Sequence, residues 1–368
     1  MIYFRLGIEG NSLLRVCKMQ WEEYRDKFRH LAKFMDKSDL YIDTCLSYGK
    51  KLFEKRLPII YDIDHFCSLV GYKKLYIMKV VNAQDLFYRK FSIAKKRKNE
   101  FRIISEPLPN LKNIQRWILD EILYKLDPSP YTKAFRPNYS IKDNAKFHRK
   151  QKTILTLDIE NYFGSITFKM VLKLFISIGY SKQVAVMLSN LCVLENGLPQ
   201  GAPTSAMLSN LTTKDIDEKI SFYAVKHKIR YTRYADDLTF SGDFKEDNVI
   251  KFVGKVLKSQ GFLINENKTR TRGRHQQQEV TGIVVNDKLQ APRNYRRNFR
   301  KNMHYIKKYG LESHLMFLND TKVTEIISLN YIYHLLGTAN FIININPQDL
   351  TVKKDFDHLK DLLMEYKK

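Results

Sequence analysis

At 368 residues with 44% hydrophobic content, the chain can bury a sizeable core and exceeds the usual single-domain length. Its 63 Lys and Arg against 39 Asp and Glu leave a net charge of +24, which points to a polyanionic partner held through counterion release. No run approaches the roughly 18 consecutive apolar residues of a transmembrane helix, and no secretory signal opens the chain, so we expect a cytoplasmic protein that neither spans nor needs a membrane.

Residues 1–75 read as helical. In "WEEYRDKFRHLAKFMDK", Trp21, Tyr24, Phe28, Leu31 and Met35 recur at helical spacing, a stripe that suits packing against the rest of the chain. "FSIAKKRKNEFRIISEP" then reads as two strands around a basic loop carrying Lys95, Lys96, Arg97 and Lys98. Such a charge run is ordinarily a solvated turn, and the second strand continues to Arg102. "DNAKFH" holds Asn144, Ala145 and His148, which alone would suit an exposed turn leading into a helix. The four cysteines, Cys17, Cys45, Cys67 and Cys192, form no Cys-x-x-Cys pair, and the nine histidines show no His-Glu-x-x-His spacing. A zinc site is therefore not supported, and reduced thiols are expected.

The middle of the chain carries the acids. "TILTLDIENYFGSI" has the pattern of a buried strand, with Ile154, Leu155, Leu157 and Ile159 around Asp158, where an unpaired carboxylate is costly. "NGLPQGAPTSAMLSNL" is a stiff turn of Gly197, Pro199, Gly201 and Pro203 leading into a long helix, with Pro203 at its first position. Backbone N–H groups at such a turn suit a phosphate or a base-paired nucleotide. In "RYTRYADDLTFSG" two alternating strands meet at Asp236 and Asp237. An isolated Asp-Asp there would be a solvated turn. Carboxylates about 4 Å apart repel by roughly 4 kcal/mol at an effective dielectric near 20. A crowd of Asp158, Asp236 and Asp237 therefore needs a cation or open water, and hard divalent ions take such oxygens. Two ions can stabilise the attacking and leaving oxygens of a phosphoryl displacement.

Beyond the acids, "DNVIKFVGKVLKSQG" reads as a helix and "EVTGIVVN" as a strand ending at a bend, and strands separated by helices make an α+β sheet with helices on one face. In "PRNYRRNFRKNMHYIKKYG", Phe299, Met303 and Ile306 keep helical spacing while Arg293, Arg296, Arg297, Arg300 and Lys301 crowd the other positions. Apolar residues inward and basic residues outward suit a helix that tracks a nucleic-acid backbone.

Taken in order, "LDIENYF", "LPQGAPTS", "YADD" and "GFLINENKTR" resemble the reverse transcriptases. The resemblance implies a right-hand polymerase of fingers, palm and thumb, with an N-terminal helical extension. The extension would span 1–75, the fingers 76–150 with part of 166–200, the palm 151–284 and the α-helical thumb 285–368. It implies that Asp158, Ile159, Asp236 and Asp237 hold two Mg2+ ions, with the three aspartates catalytic. Phe163 would exclude a ribose 2′-hydroxyl, Gln200 and Gly201 would line the nucleotide site, and Arg102 and Lys268 would sit by the triphosphate. The basic residues before Arg102 depart from the retroviral spacing, so no second triphosphate lysine is assigned.

Within that family, Asn144, Ala145 and His148 match the N-A-x-x-H pattern of retron reverse transcriptases, and Val280, Thr281 and Gly282 match their V-T-G pattern. This resemblance implies templated DNA synthesis on a structured non-coding RNA, primed by a guanosine 2′-hydroxyl and giving a branched RNA-linked DNA (msDNA), with deoxynucleoside triphosphates as substrates. It further implies an effector protein and a role in antiphage defence. Asn144, His148, Val280, Thr281 and Gly282, together with Arg293, Arg296, Arg297 and Arg300, are then expected to contact nucleic acid. The segment 1–75, largely outside the resemblance, is the first candidate for a partner contact. The alternatives are a group II intron-like or diversity-generating reverse transcriptase, an RNA-dependent RNA polymerase, disfavoured by Phe163 and the YADD wording, and a catalytically silent RNA-binding scaffold, disfavoured by the intact acids.

Overall fold

The computed structural model describes residues 20–94, 101–319 and 324–366. In chain order it gives helices α1 (Trp21–Phe34), α2 (Asp39–Glu54), α3 (Ile63–Val70) and α4 (Lys74–Asn82), strands β1 (Tyr88–Ala94) and β2 (Phe101–Pro107), and helix α5 (Pro109–Glu121). Next come α6 (Ile141–Phe147), β3 (Thr153–Asp158), α7 (Tyr162–Ser165), α8 (Phe168–Ser177), α9 (Lys182–Cys192), α10 (Ser205–Thr212) and α11 (Lys214–Lys226). Strands β4 (Arg230–Tyr234) and β5 (Asp237–Gly242), helix α12 (Glu246–Ser259), and strands β6 (Arg270–Gly273), β7 (Glu279–Val280) and β8 (Ile283–Val284) follow. Helices α13 (Arg293–Tyr309), α14 (Leu311–Asn319), α15 (Glu325–Ile345) and α16 (Leu350–Glu365) complete the α+β chain.

The chain divides into two compact units. The first takes in residues up to Arg136, Ile159–Ile220 and Gly254–Ile264. Its early helices begin at side-chain caps: Ser38 accepts from the Tyr41 N–H and Asp62 from the His65 N–H. α3 stops at Gly71, whose φ of +74° favours glycine. The aromatic stripe of α1 is packing, since Tyr24 and Phe28 are buried and Phe28 stacks on Tyr61. The Tyr24 and Tyr61 hydroxyls meet at 3.0 Å. β1 and β2 pair antiparallel from Tyr88↔Pro107 to Ala94↔Phe101. The basic loop expected at Lys95, Lys96, Arg97 and Lys98 lies outside the described residues. The long helix expected after "PTSAM" is two helices, α10 and α11, and α10 starts at Ser205 with Thr204 at its N-cap, two residues later than the Pro203 start.

The second unit comprises Pro137–Asp158, Ser221–Val253 and Asn265–Lys368. Its antiparallel sheet runs β4-β5-β3-β6. The register stacks three rows on one face: Ile154, Ser241 and Arg230; Thr156, Thr239 and Thr232; and last Asp158, Asp237 and Tyr234. The other face carries Leu155, Phe240 and Tyr231, whose rings stack. The expected one-sided sheet is not what forms. Every residue of β5 from Leu238 to Gly242 is buried, so both faces are covered, with α6 against β4. Helix α13 buries Phe299, Met303 and Ile306, the stripe its spacing predicts. They join a core with Ile154, Val280, Ile332, Leu335, Ile342 and Leu359. As expected no run of about 18 consecutive apolar residues occurs, yet α15 is long and apolar enough on average, by length and composition, to cross a membrane. Asn330, His334 and Asn340 break its apolar run in the sequence, and Ile332, Leu335, Ala339, Ile342 and Ile345 pack into that core.

Candidate active site

Asp158 ends β3, and its register partner across the ladder is Asp237, the first residue of β5. Directly opposed strand residues share a face, so the pattern that buries Leu155 and Leu157 on one side places the two carboxylates together on the other. Asp236 completes the group from the two-residue turn joining β4 to β5. Its neighbour Ala235 has φ +57°, a left-handed conformation unusual for a residue with a Cβ. Asp158 is buried, and both its oxygens accept from Lys268 Nζ, at 3.0 and 2.9 Å. Asp237 keeps an open surface, yet protein packed around the strand end strips part of its hydration. That loss, with the negative charges of Asp236 and Asp158, pushes its carboxyl up to about 6 from the usual 3.8, against the pull of Lys268. Among the described residues no group of three His, Cys, Asp or Glu side chains is arranged to hold a metal ion. The donor set still fits one, since it is three hard oxygen-bearing acids with an ammonium as stand-in cation on Asp158. Ile159 is buried, so the donor it can offer is its main-chain carbonyl.

The first unit holds four of the expected nucleotide residues, Arg102, Phe163, Gln200 and Gly201, and the second holds Lys268. Phe163, on α7, accepts from the Leu198 N–H through its carbonyl at 3.0 Å, and its half-buried ring lies 6.2 Å from that of Phe135. A Cβ on Gly197 would come within 2.8 Å of the Gly164 carbonyl oxygen, so glycine is needed for this close approach. Gln200 accepts at its carbonyl from the Ser105 N–H of β2 at 2.8 Å. Gly201 has φ +123° and would press a Cβ to 3.0 Å from Ser105 O. Arg102 lies three residues back along β2 and is exposed. Ser205 Oγ donates to Pro199 O at 2.7 Å, which fixes the turn onto α10.

The retron-like stretches do not behave as the expected surface contacts. Asn144 and His148 are fully buried, and Val280 is 1% exposed. The Thr232 hydroxyl donates to Asn144 Oδ1 at 2.5 Å, so it must accept from His148 Nε2, 2.7 Å away. His148 Nδ1 and Ser241 Oγ are also hydrogen-bonded, at 2.7 Å. Asn144 Nδ2 reaches Thr281 Oγ1 at 3.5 Å, and Thr281 donates on to Ile141 O. The two stretches are thus one network joining α6, the β4-β5-β3-β6 sheet and the β7–β8 turn. Positive φ at Thr281 and Gly282 gives that turn the twist of a tight hairpin. Burial removes Asn144, His148 and Val280 from direct contact with nucleic acid; Gly282 is exposed and Thr281 half-buried. On α13, Arg293, Arg297 and Arg300 are exposed, while Arg296 is half-buried and donates from Nε to Ala291 O.

Comparison with known proteins gives this geometry its context. The family described as reverse transcriptase (RNA-dependent DNA polymerase) matches residues 93–285. The retron Ec86 reverse transcriptase of Escherichia coli is 34% identical over 255 residues, 68% of this chain and 79% of that protein. This chain belongs to the retron-type reverse transcriptases. It is an RNA-directed DNA polymerase with the right-hand polymerase fold. The retron Mx65 reverse transcriptase of Myxococcus xanthus is 34% identical over 57% of this chain and 54% of that protein. The retron Ec83 reverse transcriptase of Escherichia coli is 29% identical over 71% and 83%. Among solved structures, a Candida albicans telomerase in complex with a telomeric RNA fragment aligns loosely, with TM-score 0.44 and 10% identity over 76% of this chain and 63% of that one.

In this reverse transcriptase, sequence reasoning missed the supports of the site. Thr232 and Ser241 anchor His148, and Tyr162 donates from its hydroxyl to Ser209 O at 3.0 Å beneath α7. A signal existed for the first pair: Thr232 and Ser241 stand an even number of residues from Tyr234 and Asp237, hence on the acid-bearing face.

Proposed function

We propose that this reverse transcriptase copies a structured non-coding RNA into a branched RNA-linked DNA, with a guanosine 2′-hydroxyl as primer. The observation that carries the reading is the register pair Asp158 and Asp237, with Asp236 in the adjoining turn, in a chain that resembles retron enzymes across most of its length. Asp158, Asp236, Asp237 and the carbonyl of Ile159 would hold two magnesium ions. Bound there, the ions would neutralise charge on the attacking hydroxyl and the leaving pyrophosphate. In this reading the chain's own side chains orient and select. Arg102 and Lys268 bind the triphosphate, the Phe163 ring crowds the sugar where a ribose would carry its 2′-hydroxyl, and Gln200 and Gly201 support the nucleotide. Arg293, Arg297 and Arg300 bind phosphates, and Thr281 and Gly282 offer the accessible part of the hairpin turn to RNA.

The regional assignment remains an extension at 1–75, fingers at 76–150 with part of 166–200, palm at 151–284 and thumb at 285–368. The enzyme works in the cytoplasm, stays on its msDNA product and acts with an effector protein in antiphage defence. Its test is recovery of the nucleic acid bound to the protein purified from its native host, followed by sequencing with and without a debranching enzyme. We expect one RNA joined to DNA through a guanosine 2′-oxygen; a random RNA population without attached DNA would overturn the reading.

A further inference from the structure

Asp158 is already holding a cation, one that the chain itself carries. Lys268 engages both of its oxygens, and the contact is built into the backbone. The Asn265 N–H donates to the main-chain oxygen of Asp158 at 2.8 Å, which hangs the turn that carries Lys268 on the end of β3. The Lys268 and Thr269 N–H groups close that turn onto Asn265 O and Glu266 O. The two partners differ in freedom: the Asp158 side chain is 7% exposed and that of Lys268 is 49% exposed. The acid is fixed, whereas the ammonium lies on a flexible stem at the surface and can swing into water.

We propose that Lys268 is a displaceable stand-in for the divalent ion, occupying Asp158 until the ion takes its place and frees the ammonium for the triphosphate. The inference rests on the reading of the three aspartates as a metal site. Its physical basis is that the buried Asp158 carboxylate, facing Asp237 in register, is costly to leave without a cation when no ion is bound, and the Lys268 ammonium covers it. A hard divalent ion competes for the same oxygens with twice the charge. Once released, the lysine is free to meet the phosphates of a bound nucleotide. Ion and lysine exclude each other on Asp158, so by linkage whatever draws the lysine away strengthens ion binding, and the ion promotes nucleotide binding in return.

The test is amine footprinting of the full-length wild-type protein, reading the initial labelling rate of each lysine by mass spectrometry at constant ionic strength. Labelling is done in EDTA and in saturating Mg2+, with thermal stability followed in the same samples. We expect Mg2+ to raise the melting temperature and to speed labelling of Lys268 about fivefold, the scale of a partly exposed ion pair, with other lysines unchanged. In Asp158→Asn, Lys268 should label fast with or without Mg2+. Stabilisation by Mg2+ with Lys268 still protected would overturn the stand-in role and leave the metal reading intact. No stabilisation and no change in labelling would overturn both.

Discussion

Replacing Asp237 with asparagine should make the metal-free enzyme more stable, although it removes a proposed metal ligand. Asp237 faces Asp158 in register and follows Asp236 in sequence, and lost hydration with their two charges raises its carboxyl from 3.8 to about 6. A folded-state value above the unfolded one means that the folded protein holds the proton more tightly. Below 3.8 the group is neutral in both states and costs nothing. The penalty grows between 3.8 and 6 and is complete above 6. At 1.36 kcal/mol per pH unit the rise corresponds to about 3 kcal/mol, and because the side chain is more than a third exposed, solvent screening reduces the expectation to about 1 kcal/mol. The assay is urea unfolding of wild type and Asp237→Asn in EDTA at pH 7.5 and pH 5. The variant should be about 1 kcal/mol more stable at pH 7.5, with the advantage shrinking at pH 5 and reversing in wild type's favour once Mg2+ is added. An advantage that is absent at pH 7.5, or equal at both pH values, would refute the electrostatic account.

Joint replacement of Asp236 and Asp237 by alanine should abolish deoxynucleotide incorporation and leave RNA affinity in a filter-binding assay nearly unchanged, because affinity resides in the basic surface. Phe163→Ala should admit ribonucleotides, read as the ratio of ribo- to deoxynucleotide incorporation; an unchanged ratio places the gate elsewhere. Because Asn144 and His148 are buried in one network, His148→Leu should cost about 1–3 kcal/mol by taking the ring from the buried Ser241 hydroxyl and one of two partners from that of Thr232. It should then depress synthesis equally on a structured RNA and on a generic primed template, whereas loss on the structured RNA alone would restore a recognition role. Each of Arg293, Arg297 and Arg300 replaced by glutamine should weaken all nucleic acids alike and lower the salt slope by about one per phosphate contact.

The acids, their strands and the basic helix were legible because each obeys a short-range rule. Asp158 interrupts a buried strand pattern, Asp236 and Asp237 sit between two alternating strands, and Phe299, Met303 and Ile306 repeat at helical spacing. What stayed hidden depends on which distant segments meet. Asn144 and His148 look like polar residues at the start of an exposed turn until Thr232 and Ser241, 88 and 93 residues from them respectively, supply partners that make their burial tolerable. The two-sided cover of the sheet was hidden for a related reason. Thr232, Thr239 and Ser241 alternate with the apolar face as solvent-facing residues would, yet all three are buried, with Asn144 and His148 bonded to Thr232 and His148 to Ser241. The break between α10 and α11 at Thr213 has no glycine or proline to announce it; the Thr213 hydroxyl donates back to Ser209 O and lies 3.2 Å from that of Tyr162.

The position of β3 in the sheet also governs when the enzyme can come into being during its synthesis. This strand is made early, yet both strands that flank it, β5 and β6, are encoded later, and the lysine that covers Asp158 follows it by 110 residues. Contacts of such span form only after the intervening chain has been made and its loop entropy overcome. A ribosome that has released Asp158 into solution therefore carries a strand with two unpaired edges and an uncovered acid, a state open to mispairing and to chaperones. Asp158 can gain its lysine only once residue 268 has emerged, and β3 its second edge partner only once β6 has been made, so this end of the sheet stays incomplete until both are in place.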